Sequence, residues 1–232
     1  MNTALYLSAH SSPARASLRA ARPAKPPVYR KRTVSRADHD FYPTPPEAVR
    51  ALLSVEDFDG PIWEPACGDG AIARELVAHG HELHATDLID RGYGEGDHDF
   101  LDPVTVTRVM LEQPRLKHII TNPPYSYRPG IGDKFVGQAL KVARMTGGKV
   151  AMLLNIGSLA HPTRTMKWRN HPPAAIHIMD DLTCWPYGDK SRAGRFIAEH
   201  RYCWIVWTCD HIGPTEVTWL RMTDFRQNGG HA

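Results

Sequence analysis

The chain has 232 residues, of which 42% are hydrophobic, 9% aromatic and 23% charged, a composition suited to one globular domain or at most two small ones. Collagenous, disulfide-scaffold and wholly disordered chains are excluded, and no run approaches the roughly 18 apolar residues that a bilayer span requires. The net charge of +3 is unevenly divided: residues 1–36 carry 8 basic and 0 acidic side chains, residues 37–127 carry 6 against 17, and residues 128–232 carry 14 against 8. Such polarity suits a protein whose faces meet different ligands, one of them polyanionic, the alternative being a chance distribution over a solvated surface. Cys67, Cys184, Cys203 and Cys209 make no disulfide framework in a chain of this length, so a reducing, cytoplasmic setting and buried thiols are expected.

Residues 1–37 are rich in Ala, Ser, Arg and Pro and show no apolar periodicity, which predicts a disordered basic arm able to grip phosphates without reading sequence. Its make-up also overlaps with organelle transit peptides. From Asp38 to Ala232 the pattern is that of a single α/β domain. Pro45 and Pro46 open a helix with Thr44 as its cap and Val49, Leu52 and Leu53 on its inner face. Ile62 to Ala66 predicts a strand running into Cys67-Gly68-Asp69-Gly70, Ala71 to His79 a helix, and Glu82 to Asp87 a second strand.

Farther along, His118 to Thr121 predicts a strand, Lys134 to Met145 a helix and Lys149 to Asn155 a buried strand. Ala174 to Met179, Tyr202 to Thr208 and Glu216 to Leu220 are the later strands, the last two expected as an antiparallel pair around Gly213-Pro214. Strands alternating with helices predict a doubly wound mixed sheet with helices on both faces.

Ligands of such sheets bind at the carboxyl ends of the strands, where two motifs fall. Gly68 and Gly70 remove β-carbons that would keep a ligand off the backbone, and Asp87, closing the next strand, can bind both hydroxyls of a ribose. The same spacing satisfies the dinucleotide fingerprint of nicotinamide-dependent oxidoreductases. The second motif, Asn122-Pro123-Pro124-Tyr125, combines rigid prolines with the Asn122 oxygen and the Pro123 carbonyl, two acceptors for an exocyclic amine, and with a Tyr125 ring able to stack on a base. An amine conjugated to a ring is a poor nucleophile. Drawing its hydrogens out of the ring plane would turn the nitrogen lone pair toward an electrophile without a general base.

In this linear order the motifs resemble those of class I S-adenosylmethionine-dependent methyltransferases, specifically the amino-methylating DNA type that makes N6-methyladenine. Over residues 40 to 156 the resemblance implies a Rossmann-like methyltransferase fold with S-adenosylmethionine as cofactor. It implies that Tyr42, Pro43 and Thr44 touch the methionine end of that cofactor. Glu64, Pro65, Ala66, Cys67, Gly68, Asp69 and Gly70 would form the cofactor loop, Asp87 with Leu88 beside it would hold the ribose, and Asp99 and Phe100 would flank the adenine. Asn122, Pro123, Pro124 and Tyr125 would be catalytic, acting on a flipped base. The tetrapeptide is shared with methyltransferases of protein glutamine and RNA, so those substrates and cytosine N4 stay open, as does a non-catalytic nucleic-acid-binding module.

The segment at about 157–200 interleaves basic and aromatic residues, as phosphate gripping with base stacking requires. Arg164, Lys167, Arg169, Lys190 and Arg192 are the expected DNA contacts, with Trp168, Trp185 and Tyr187 among them, against the alternative of a solvated loop. No metal site is expected. His200, Cys203, Cys209 and His211 could suggest zinc, but Cys203, Ile205, Trp207 and Cys209 alternate on one strand face as core residues do, which argues against it. His79, His81 and His84 read as a solvated cluster, and Cys67 lacks the partner a nucleophile needs.

Overall fold

The computed structural model describes residues 38–125, 128–161, 164–188 and 201–226. The expected arm over 1–37 lies outside them, as do Lys190 and Arg192. The elements run α1 (Pro46–Leu53), β1 (Ile62–Glu64), α2 (Ala71–Ala78), β2 (Leu83–Ala85), α3 (Pro103–Glu112), β3 (His118–Thr121) and α4 (Ile131–Thr146). They continue with β4 (Lys149–Asn155), α5 (Thr165–Asn170), β5 (Ala175–Met179), β6 (Tyr202–Thr208) and β7 (Glu216–Leu220).

The described strands form one sheet in the order β2-β1-β3-β4-β6-β5-β7, in which β6 alone runs antiparallel to its neighbours. This is the expected doubly wound mixed sheet. Period-two alternation builds a core on each face. Ile62, Ile120, Ala151, Leu153, Trp204 and Val206 face α1 and α2, while Trp63, Ile119, Val150, Met152, Ile205 and Trp207 face α3 and α4. Buried indoles are also tied by hydrogen bonds, Trp204 Nε1 donating to the Ala48 carbonyl at 2.8 Å and Trp63 Nε1 to Thr86 Oγ1 at 3.0 Å.

The last two strands depart from expectation. β6 is buried from Tyr202 to Trp207 and is claimed on both edges, by β4 and β5, so β7 pairs parallel with β5 and does not form a hairpin with β6. A strand apolar on both faces belongs inside a sheet, whereas β7, with Val217 and Trp219 exposed, suits an edge. Cys209 follows β6 in a turn and is exposed, so it does not share the core face of the buried Cys203.

The helices carry two further corrections. Helix α1 has Pro45, not Thr44, at its cap position and so no side-chain cap, and the Thr44 hydroxyl instead accepts from Asn122 Nδ2 at 3.1 Å. Helix α3 was not anticipated, although its start is chemically marked: Asp102 accepts from the N–H groups of Val104 and Thr105, and Pro103 occupies the first turn.

Candidate functional site

β2 and β3 flank β1 on opposite sides, and the carboxyl ends of these three strands open on one cleft, the switch point at which ligands of such sheets bind. From β1, Glu64 leads into the Pro65-to-Gly70 turn, which needs left-handed backbone at Gly68 (φ 58°) and Gly70 (φ 84°). Space also demands glycine at both positions. A β-carbon on Gly68 would lie 2.9 Å from the Phe41 ring, and one on Gly70 would lie 2.4 Å from the Tyr93 ring. The end of β2 is latched to this turn, since Cys67 N–H donates to the Thr86 carbonyl at 3.0 Å and Gly68 N–H to Asp87 Oδ2 at 2.8 Å. Asp87 Oδ1 accepts from the Ile89 N–H at 2.8 Å and pairs with Arg91 Nη1 at 3.0 Å.

Of the cofactor positions expected from the sequence, Tyr42, Pro43, Thr44, Glu64, Pro65, Ala66, Cys67, Gly68, Asp69, Asp87, Leu88, Asp99 and Phe100 line this cleft. Gly70 lies behind the lining, capping α2. Asn122 and Pro124 reach the cleft from the end of β3; Pro123 and Tyr125 do not line it. Phe100 is 2% exposed and is wedged edge-on against Trp63, with Phe135 on its other side.

Electrostatically the cleft is acidic, with Asp40, Glu64, Asp69, Asp87 and Asp99 on its walls against Arg91. Glu64 is 1% exposed, and its Oε2 and the Oδ1 of Asp69 are buried with no partner in the structure. Burial, then the nearby Asp87 charge, hold the Glu64 carboxyl well above its ordinary range. An orphaned buried carboxylate oxygen facing a cleft is an unfilled demand for a cationic donor. The S-adenosylmethionine implied by the motifs carries an ammonium and a sulfonium on a nucleoside, and these carboxylate acceptors fit it. Burial and the Glu64 carboxylate raise the Cys67 thiol to about 12, which leaves it unreactive.

The Asn122 amide is bonded at both ends. Its Nδ2 donates to the Tyr42 carbonyl at 3.2 Å and to Thr44 Oγ1 at 3.1 Å, while its Oδ1 accepts from the Tyr125 hydroxyl at 2.7 Å. The same hydroxyl is 2.7 Å from the Leu153 carbonyl on β4, and the Tyr125 N–H donates to Asp40 Oδ2 at 3.1 Å.

Several lining residues were not expected from the sequence: His39, Asp40, Phe41, Ile89, Arg91, His98 and Phe135. For Arg91 the signal was its place four residues after Asp87, an ion-pair spacing. Its guanidinium also lies 4.6 Å from the centre of the Phe41 ring. His39 (φ 53°) and Asp40 (φ 55°) adopt left-handed backbone without being glycine, and no sequence signal marks them.

The basic segment is only partly free. Arg164 pairs with Asp133 of α4 at 2.5 Å, and Lys167 Nζ stands 3.9 Å from the same carboxylate. Lys167 and Arg169 are exposed. Trp168 is packed: it stacks on Trp207 with centroids 5.4 Å apart and donates to the Ser158 carbonyl. Tyr187 is 57% exposed and meets the Phe41 ring edge-on at 6.0 Å. These residues do not line the cleft.

The sheet order with one antiparallel strand is that of the Rossmann-like methyltransferase fold. No family model and no curated protein matches the sequence. Among solved structures, the chain is similar to a modification subunit of a candidate type I restriction enzyme from Vibrio vulnificus, with TM-score 0.52 and 16% identity over 78% of this chain and 47% of that one. It also overlaps a candidate class I S-adenosylmethionine-dependent methyltransferase from Listeria monocytogenes, with TM-score 0.44 and 12% identity over 75% of this chain and 62% of that one. The chain therefore spans about half the length of the Vibrio protein and three-fifths of the Listeria one.

Proposed function

We propose that the chain is an S-adenosylmethionine-dependent methyltransferase that methylates the N6 amine of adenine in DNA, by direct transfer to a base flipped out of the helix. The observation that carries this reading is that Asn122 and the glycine loop open on a single acidic cleft. Glu64 and Asp69 would accept from the methionine ammonium, and Asp87 would accept from the ribose hydroxyls. Asp99 and Phe100 would bracket the cofactor adenine. When bound, the cofactor supplies an electrophilic methyl group on a sulfonium.

The Asn122 oxygen and the Pro123 carbonyl would accept the two hydrogens of the target amine, turning the nitrogen lone pair toward that methyl group. The carbon–sulfur bond would break to leave a neutral thioether, and the surplus proton of the methylated amine would pass to solvent. The prolines hold that geometry because each fixes its own φ and neither donates a backbone hydrogen bond. The Tyr125 ring stacks on the flipped base. DNA as substrate is supported by the exposed Lys167 and Arg169 and by the excess of basic residues in the second half of the chain. The Vibrio neighbour, a modification subunit, is consistent with this substrate.

Incubating the purified protein with labelled S-adenosylmethionine and unmodified genomic DNA, followed by nucleoside mass spectrometry, tests the reading. N6-methyladenine is expected, and the Asn122→Ala variant should lose activity with cofactor affinity near wild type. N4-methylcytosine, or methylation confined to RNA or protein glutamine, would overturn the substrate. Absence of cofactor binding would overturn the class.

A further inference from the structure

An aspartate in place of Asn122 would offer an oxygen to an amine whichever way its side chain turned. An asparagine does not. One end of its amide only accepts and the other only donates, so a rotation of the amide by half a turn would set N–H against N–H and leave the target amine with one acceptor fewer. A site built on Asn122 needs a device that fixes the amide.

Three neighbours of Asn122 provide one. The Tyr42 carbonyl can only accept, so the amide end 3.2 Å from it is the nitrogen. The Thr44 hydroxyl, on a residue 4% exposed, accepts the second N–H at 3.1 Å, which exhausts the donors of Nδ2. At the opposite end the Tyr125 hydroxyl donates to Oδ1. We infer that the Tyr42 carbonyl, the Thr44 hydroxyl and the Tyr125 hydroxyl fix the Asn122 amide with its oxygen toward the target amine, which makes Thr44 and Tyr125 positioning residues. This inference rests on the methyltransferase reading for its consequence in catalysis, although the amide geometry stands apart from it.

The Tyr125 hydroxyl has a second acceptor at the same distance. Pairing of β3 with β4 ends at Thr121 opposite Met152, and the next carbonyl along β4, that of Leu153, is 2.7 Å from the Tyr125 oxygen. The single phenolic proton therefore has two places to go. It lies between both acceptors, and Asn122 Oδ1, which has two lone pairs, can take the Tyr125 proton on one and a proton of the target amine on the other. Burial holds the Tyr125 phenol well above its ordinary range, so the proton stays on the oxygen. Asp40 Oδ2 completes the clamp by accepting the Tyr125 N–H at 3.1 Å, which joins the 40–44 strap to the tetrapeptide at both its first and last residues.

The test uses full-length protein labelled with [15N]asparagine, the Asn122 side-chain amide being assigned by its loss in Asn122→Asp. In wild type both protons of that amide should be protected from exchange. Thr44→Val, which keeps shape and removes the acceptor, should speed exchange about tenfold and lower kcat about tenfold; Thr44→Ser should restore both. Tyr125→Phe, which keeps the ring, should lower kcat by a similar factor. Wild-type exchange and kcat within twofold of wild type in both Thr44→Val and Tyr125→Phe would overturn the inference. If wild type methylates nothing, the methyl-transfer reading fails and the amide exchange still decides the positioning. Should Thr44→Val fail to fold, Tyr125→Phe carries both measurements.

Discussion

Asp87 Oδ2 accepts the backbone N–H of Gly68 at 2.8 Å, so the residue expected to hold the ribose also holds the shape of the loop beneath it. Its Oδ1 is shared between the Ile89 N–H and Arg91. Removing the side chain would therefore orphan a buried donor as well as a ligand contact. Asp87→Asn keeps an acceptor for Gly68 but sets its NH2 against the Ile89 N–H and Arg91 and loses the charge that pairs with Arg91. The expected outcome is a folded protein with a cofactor Kd raised at least tenfold, measured by titration calorimetry, whereas Asp87→Ala should also lose about 1–3 kcal/mol of stability.

Glu64 couples stability to pH with a definite sign. Its folded-state carboxyl titrates well above the ordinary value of 4.5, so the folded chain holds this proton more tightly than the unfolded chain does. The contribution is fully favourable below 4.5 and is lost as pH rises toward the folded value. Glu64→Gln cannot ionise, so it should melt higher than wild type above pH 7 and with little difference near pH 4, while binding S-adenosylmethionine more weakly. A pair of thermal scans at the two pH values checks the sign, and an equal offset at both would contradict it.

Glu56 carries the opposite dependence. Burial by itself would push its carboxyl up, but hydrogen bonds from His177 and Lys149, with their charges, outweigh burial and hold it below 4.5. Lys149 Nζ lies 2.7 Å from Oε2 and His177 Nε2 lies 3.2 Å from Oε1, so the residue joins the start of β4 to β5. Its stabilisation is present above the unfolded value and disappears as pH falls through the folded one. Glu56→Ala should cost about 1–3 kcal/mol at pH 7 and progressively less on acidification, read from urea midpoints at several pH values.

The proposed DNA contact by α5 makes a prediction about salt. Lys167 and Arg169 are exposed, whereas Arg164 is held by Asp133. Lys167→Gln and Arg169→Gln should each flatten the slope of log affinity against log salt by about one unit, without changing sequence preference. Arg164→Gln should change that slope by less. Equal slopes for all four proteins, measured by fluorescence anisotropy, would remove α5 from the DNA interface.

Much of the site was legible because each part announces itself locally. Gly68 and Gly70 are marked by the left-handed backbone that glycine alone adopts freely, Asp87 by its distance along the chain, and Asn122-Pro123-Pro124-Tyr125 by its backbone chemistry. What stayed hidden depended on partners far apart in the chain. Thr44 reads as a helix cap, and nothing in its neighbourhood says that its hydroxyl meets Asn122, 78 residues away. Trp168 reads as a stacking residue until Trp207 is found against it. The strand around Trp204 was recognisable by composition, yet its two neighbours, and with them the place of β7, follow from pairing across the whole sheet.

The order of amino acids by itself determined the alternation of strand and helix, the two strand-end motifs and the acidic and basic halves, because periodicity, glycine conformation and charge act over a few residues. Only the tertiary structure decided that the 40–44 strap crosses the end of β3, that one carboxylate oxygen of Glu64 is buried without a partner, and that the Asn122 amide is bonded at both ends. These depend on which distant segments exclude water from one another, and desolvation is a property of the packed chain.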